Sequence, residues 1–414
     1  MRGVVWLILI FTAAVLAATV LGGNDGLVTI AWGAWRTELS LNLFVVSVVA
    51  ATLGLMVVLR SLDAFLSLPR RAGEWRALQR ERGAQAALRE AQAEYFGARY
   101  GRAHKAAQRA LAIQEDTPGL PGAAEVRLLA QLIAAASLHR LQDIPRRDDM
   151  LRQADVAARV GSARAAAEGA SLLTAEWAID DRQPERALRL LSELPPGVSR
   201  RTQALRLRLR AAQMAGRPLD ALTTARLLAK HQAFSPVAAR GLLRSLAVEV
   251  LDTAHDVDQL RREWHGLDPA DRRDATVAVR AAAIASRLGA HDDARAWLAP
   301  FWDRLATLDT AERLLVAGGL CTAVQGVGID WLPRAEAATA ALPGDAAVAA
   351  AAGMVFAERQ LWGKARRQLE LAGAATGLDP RIRRRCLRLL ADLARQDGDD
   401  ELAMASERAA AAID

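Results

Sequence analysis

Residues able to do chemistry are few in this chain, and they are scattered. The six histidines are His104, His139, His231, His255, His265 and His291, and none stands in a His-x-x-x-His or Cys-x-x-Cys-His pattern. Cys321 and Cys386 lie far apart in helical contexts, which suits buried thiols in a reducing compartment rather than a disulfide framework or a metal site. The acidic pairs Asp148-Asp149, Asp292-Asp293 and Asp399-Asp400 sit at turns, where carboxylates cap helix starts. There is no Walker loop, nucleophile elbow or glycine-rich dinucleotide loop. The expectation is a protein that is not an enzyme, with no catalytic residue and no metal.

Arginine is the one chemically expressive residue in quantity. One cluster holds Arg200, Arg201, Arg206, Arg208 and Arg210, and a second holds Arg381, Arg383, Arg384, Arg385 and Arg388. Interleaved aromatics and a nucleic-acid reading motif are missing, so nucleic acid is not expected as a partner. The planar guanidinium fork grips carboxylates bidentately, which makes Arg206, Arg210, Arg384 and Arg388 the candidates for binding an acidic partner. The bland alternative is that these are solvated helix faces.

The elements that must carry these residues begin with two uncharged apolar runs, Val4–Gly23 and Leu39–Leu59. Each is about 20 residues, long enough as a helix to cross the hydrocarbon of a bilayer. Residues 1–68 are therefore expected to form a two-helix transmembrane hairpin, with helices over about 4–23 and 39–59. Arg2 precedes the first run, and Arg60, Arg70, Arg71, Arg76, Arg80 and Arg82 follow the second, whereas the loop has only Arg36. By the positive-inside rule both termini are cytoplasmic and the loop is external. Trp32 and Trp35 suit the headgroup level. A cleaved signal peptide is the rival reading of the first run. Pro69 is expected to end the membrane helix, and residues 69–99 to form a basic neck helix that merges into the first repeat. The formal charge of +7 fits a chain close to anionic lipid.

From residue 88 to 414 the chain repeats, with a period of about 35 residues, as helix, polar turn, helix. The first unit is clearest, Tyr95-Phe96-Gly97-Ala98-Arg99-Tyr100-Gly101, then Ala103, Ala107, Ala110 and Leu111. It resembles the tetratricopeptide pattern. Later turns recur at Asp180–Pro184, Gly216-Arg217-Pro218, Gly289–Asp293, Leu361-Trp362-Gly363 and Asp397–Asp400. About nine helix pairs are expected, stacked because a lone pair cannot bury its apolar face. The segment Leu205–Arg210 alternates like a strand, but its length and alanine-rich continuation favour a helix. No stretch reads as a sheet. The fold class is thus all-α: a transmembrane hairpin followed by an α-solenoid of tetratricopeptide-like pairs.

The order of two apolar helices, basic neck and repeat array resembles the HemY family of bacterial inner-membrane proteins. Three stretches carry the likeness: the loop Gly26-Leu27-Val28-Thr29-Ile30 through Trp35 to Glu38-Leu39-Ser40, the repeat Ala91–Leu111, and Arg261-Arg262-Glu263-Trp264 with Val277–Ala285 behind it. Leu390-Ala391-Asp392-Leu393 resembles the family's closing repeat, while Ala123–Pro236 matches least. The resemblance implies a scaffold associated with a late step of haem synthesis, holding pathway proteins at the cytoplasmic face of the inner membrane. It does not extend to the flavin oxidase of the same name. A haem or porphyrin carrier is the alternative, with His265 or His104 as axial ligand and arginines on the propionates. A general membrane-tethered adaptor is another. No bound cofactor is expected of the scaffold.

Overall fold

The computed structural model describes residues 26–116, 122–160 and 164–413, together with residue 13. The first apolar run, Val4–Gly23, lies outside the described residues apart from that single position. The chain divides into two compact units, Met1–Ala163 and Arg164–Asp414.

Unit 1 opens with a feature that the sequence reading missed. Strands β1 (Leu27–Trp32) and β2 (Trp35–Ser40) form an antiparallel hairpin, with Leu27 opposite Ser40 and Trp32 opposite Trp35. The description as all-α is corrected to that extent, because the alternation taken for loop is real strand alternation. Gly33, at φ +61°, makes the tight turn that joins the strands. Trp32 and Trp35 are 86% and 83% exposed at its tip.

Helix α1 (Leu41–Phe96) follows directly and is 56 residues long. Ser40 caps it, its side-chain oxygen accepting from the Leu43 N–H. Leu39, expected in the membrane helix, is instead the last residue but one of β2. Pro69 does not end the helix, which runs through that position. A proline inside a helix forfeits one backbone hydrogen bond but does not forbid continuation. Membrane-type segment and neck are therefore one element. Leu41–Asp63 is the one span among the described residues that is long and apolar enough to cross a membrane, with mean hydropathy 2.4 and none of it buried.

Further along, α1 changes character. Ala84, Ala87, Leu88 and Ala91 are buried at helical spacing. Ala87, Leu88 and Ala91 meet Ala106, Ala107, Ala110 and Leu111 of α2 (Tyr100–Glu115) and Ala130 and Ala134 of α3 (Ala123–Arg140). Alanine dominates this contact because a methyl side chain lets helix axes approach closely. Helix α4 (Ile144–Val160) packs next on α3.

Unit 2 runs on from α5 (Arg164–Asp180) and α6 (Pro184–Ser192) through the short α7 (Pro196–Ser199) to α8 (Thr202–Met214) and α9 (Pro218–Lys230). Then come α10 (Pro236–Asp252), α11 (Val257–Gly266), α12 (Pro269–Arg272), α13 (Ala275–Arg287) and α14 (His291–Trp302). The series continues with α15 (Thr310–Thr322), α16 (Trp331–Ala341), α17 (Ala346–Glu358), α18 (Trp362–Ala374), α19 (Pro380–Gln396) and α20 (Asp400–Ala411). Leu205–Arg210 is helical, as its context indicated, and the reason for its alternation is now plain. Leu205 and Leu209 face one core cluster and Leu207 another, so α8 is buried on two sides.

A single turn geometry recurs through both units. A residue with positive φ stands two positions before the next helix at Ala98, Gln142, Arg182, Gly216, Gly289, Gln360 and Gly398. Charged bonds then join one repeat to the next. Arg201 reaches Glu168, Arg217 Glu185, Arg244 Asp274, Arg261 Asp293, Arg280 Asp252 and Arg366 Asp399, with partners 28 to 33 residues apart. That interval is close to one repeat, so the ladder is the electrostatic counterpart of the period read in the sequence. Cys321 and Cys386 are both buried, and burial pushes the Cys386 thiol up to about 12 and raises that of Cys321 as well. Neither is a nucleophile at neutral pH.

Candidate partner-binding site

The arginines singled out by sequence turn out to be engaged within unit 2 in three cases of four. Arg206 on α8 donates to the Ala233 carbonyl at 3.4 Å, and Arg210 pairs with Asp180 at 3.5 Å. Arg384 on α19 donates to the Ile413 carbonyl. Arg388 is exposed and makes no ion pair among the described residues. These side chains are not brought together into one site.

The two histidines lie in different units. His265 is exposed on α11, beside the buried Trp264. His104 is half-buried on α2; its Nδ1 has no hydrogen-bond partner, and its ring bonds to the Ala134 backbone. Burial and the nearby Arg146 hold its pKa below the usual value, against the pull of that bond and of Asp143. It is a neutral imidazole at neutral pH. Among the described residues no group of three or more His, Cys, Asp or Glu could hold a metal ion.

A different place in unit 2 gathers chemistry. Trp264 of α11 stacks on Trp297 of α14, with ring centroids 4.9 Å apart and planes 26° apart. Both face inward because each sits one helical turn from a buried leucine or phenylalanine, Leu260 for the first and Phe301 for the second. Beside them is a cavity of about 490 Å³. Trp264, Trp297 and Phe301 form its buried lining, and Arg272, Arg273 and Arg304 stand around it. The Arg304 guanidinium lies over the Phe301 ring, 4.9 Å from its centroid. Nε of Arg272 is buried and has no hydrogen-bond partner.

What the neighbouring carboxylates do is decisive. Asp268 and Asp271 are taken by Arg226, Asp274 by Arg244 at 2.7 Å, and Asp303 by Arg334 at 3.5 Å. Burial raises the pKa of Asp271 despite its arginine partner. No acidic residue lines the cavity, and its three arginines make no ion pair among the described residues. A second cavity, of about 340 Å³, shows the contrast. It is lined by Asp303 and Arg334, which pair with each other, so its charge is cancelled.

The stacking of Trp264 on Trp297 was not read from the sequence. The signal was present, since they stand almost one repeat apart on the second helix of successive pairs. Arg272, Arg273 and Arg304 were missed because they lie outside the dense clusters.

Among curated proteins none matches the sequence. Solved structures that align with it include the APC/C hetero-tetramer Cut9-Hcn1, at 14% identity and TM-score 0.28, over 79% of this chain and 66% of that one. Another is Naa15/Naa10 bound to HypK-THB, at 13% identity and TM-score 0.25, over 76% of this chain and 56% of that one. The chain thus spans less than two thirds of the length of either. A family model described as HemY protein N-terminus matches residues 26–141, from the strand hairpin through α1 and α2 to the end of α3. Over that segment the chain is similar to the N-terminal part of HemY proteins.

Proposed function

We propose that this protein is a membrane-anchored helical scaffold that holds proteins of a late step of protohaem synthesis at the cytoplasmic face of a bacterial inner membrane. The observation that carries the scaffold reading is α1. Its first part, Leu41–Asp63, is apolar with no buried residue in its span, and its last part is the first packed helix of the repeats. Anchor and first repeat then share one rigid element, and partners in the same membrane meet the array at raised local concentration. The family match supports the link to haem synthesis, and Arg60 in the last turn of the span with Arg76, Arg80 and Arg82 after it support a cytoplasmic array. A second span over Val4–Gly23 completes the hairpin in this reading.

Cross-linking the full-length protein in intact membranes, followed by its purification, tests the reading. Enrichment of late haem-synthesis proteins without stoichiometric pigment is the expected result. Partners unrelated to that pathway reduce the protein to a general adaptor, and pigment that survives removal of the partners makes it a haem or porphyrin carrier. A reporter fused after Asp414 is expected to behave as cytoplasmic; periplasmic behaviour overturns the topology.

A further inference from the structure

We propose that the cavity beside Trp264 and Trp297 docks an acidic, aromatic segment of a partner protein. The inference rests on the scaffold reading and names the chemistry of one partner contact. Each part of the cavity asks for a different feature of the same ligand. The stacked indoles and Phe301 offer a buried apolar wall to one large ring. Arg272, Arg273 and Arg304 offer three guanidinium groups, on α12, at its end and just beyond α14. Nearby acids are spoken for by Arg226, Arg244 and Arg334, so this positive charge is not cancelled from within. A buried guanidinium nitrogen without an acceptor, as at Arg272, costs stability unless something accepts from it.

A polypeptide suits this spread better than a free anion. Carboxylates on both sides of an aromatic residue reach separate arginines while the ring enters the cavity. Paired aromatic and arginine residues are also the types that dominate the energetics of protein contacts.

The probe is a hexapeptide with the photoreactive residue benzoylphenylalanine flanked by aspartates, offered to the full-length protein in lipid nanodiscs. Its control carries asparagines instead. Mapping the cross-link by mass spectrometry is expected to place it on residues lining the cavity, with at least tenfold less labelling by the control. Labelling falls by a similar factor in the Arg272→Gln, Arg304→Gln double variant and in Ala296→Trp, which fills the cavity from an exposed position and leaves the arginines in place. It also weakens as salt is raised. Equal labelling by the control, or no loss in either variant, overturns the proposal. So does protection of the cavity by 2-naphthoate with no labelling by the acidic peptide, which assigns it to a free aromatic acid. If labelling fails while membrane cross-linking still recovers partners, the docking site falls and the scaffold stands. If the peptide labels the cavity but no partner is recovered, the scaffold reading falls instead.

Discussion

At the scale of single residues, buried polar side chains do the most to fix local structure. Arg295 is 4% exposed and donates to the carbonyls of Ala323 and Gln325 at 2.5 and 2.7 Å and of Gly326 at 3.2 Å. It pins the loop after α15, where Gly326 also donates to Glu358 at 2.9 Å. Replacing Arg295 with Met keeps most of the volume but leaves three carbonyls without their donor. The expected loss is about 3 kcal/mol of unit 2 stability, read by denaturant titration. His104 behaves differently. Its folded pKa lies below 6.5, so the unfolded state binds more protons in the window between the two values. Its contribution is present in full above pH 6.5 and is lost as pH falls from there towards the folded value. The protection factors of the α2 amides against hydrogen exchange are expected to fall on acidification across that window, and His104→Gln flattens the response. None of this was legible in the sequence. Whether an arginine is buried, or paired, depends on which acid its neighbours have already taken, and a linear pattern does not record that.

The repeating turn is the clearest lesson at the scale of elements. Gly216, Gly289 and Gly398 announced their turns, because glycine is the residue that adopts positive φ without cost. Ala98, Gln142, Arg182 and Gln360 occupy the same place with a side chain. Their turns were found from helix periodicity alone or only loosely. Each stores strain of about 1 kcal/mol, which yields a direct expectation. Gln360→Gly stabilises the pair α17 and α18 by about 1 kcal/mol, measured as a shift in denaturant midpoint at constant slope. An unchanged or lowered midpoint contradicts the shared turn geometry. The strand hairpin was not read from sequence, because six-residue strands beside a membrane helix also fit a short loop. The helices of the repeats were legible because alanine and leucine recur at helical spacing over many turns. The stacked tryptophans were half legible, as positions but not as a pair.

For the molecule as a whole, the informative element is α1. Sequence reasoning divided it at Pro69 into anchor and neck, since a proline is the usual punctuation of a helix. Continuity through that position changes what the anchor transmits. A dye at Phe96→Cys, at the far end of α1, is expected to report a narrow spread of energy transfer to acceptors in the bilayer. Four glycines inserted after Arg76 are expected to broaden that spread while membrane retention persists. A broad spread without the insertion contradicts a stiff connection.

The unbroken α1 also sets a height. Between Asp63, where the apolar span ends, and Ala84, where packing begins, a straight helix climbs about 30 Å. Electrostatic influence of the lipid surface fades within about 8 Å in physiological salt. The first packed turn thus stands on a pylon clear of the membrane's field, while Arg60, in the last turn of the span, lies at its foot. Lipid charge can grip the foot of the pylon without competing for the arginines of the first repeats. Under the proposed scaffold function, a partner would have to project a comparable distance from the bilayer to touch that part of the array, and the spacer would act as a gauge that sorts candidates by stature before any side chain reads them.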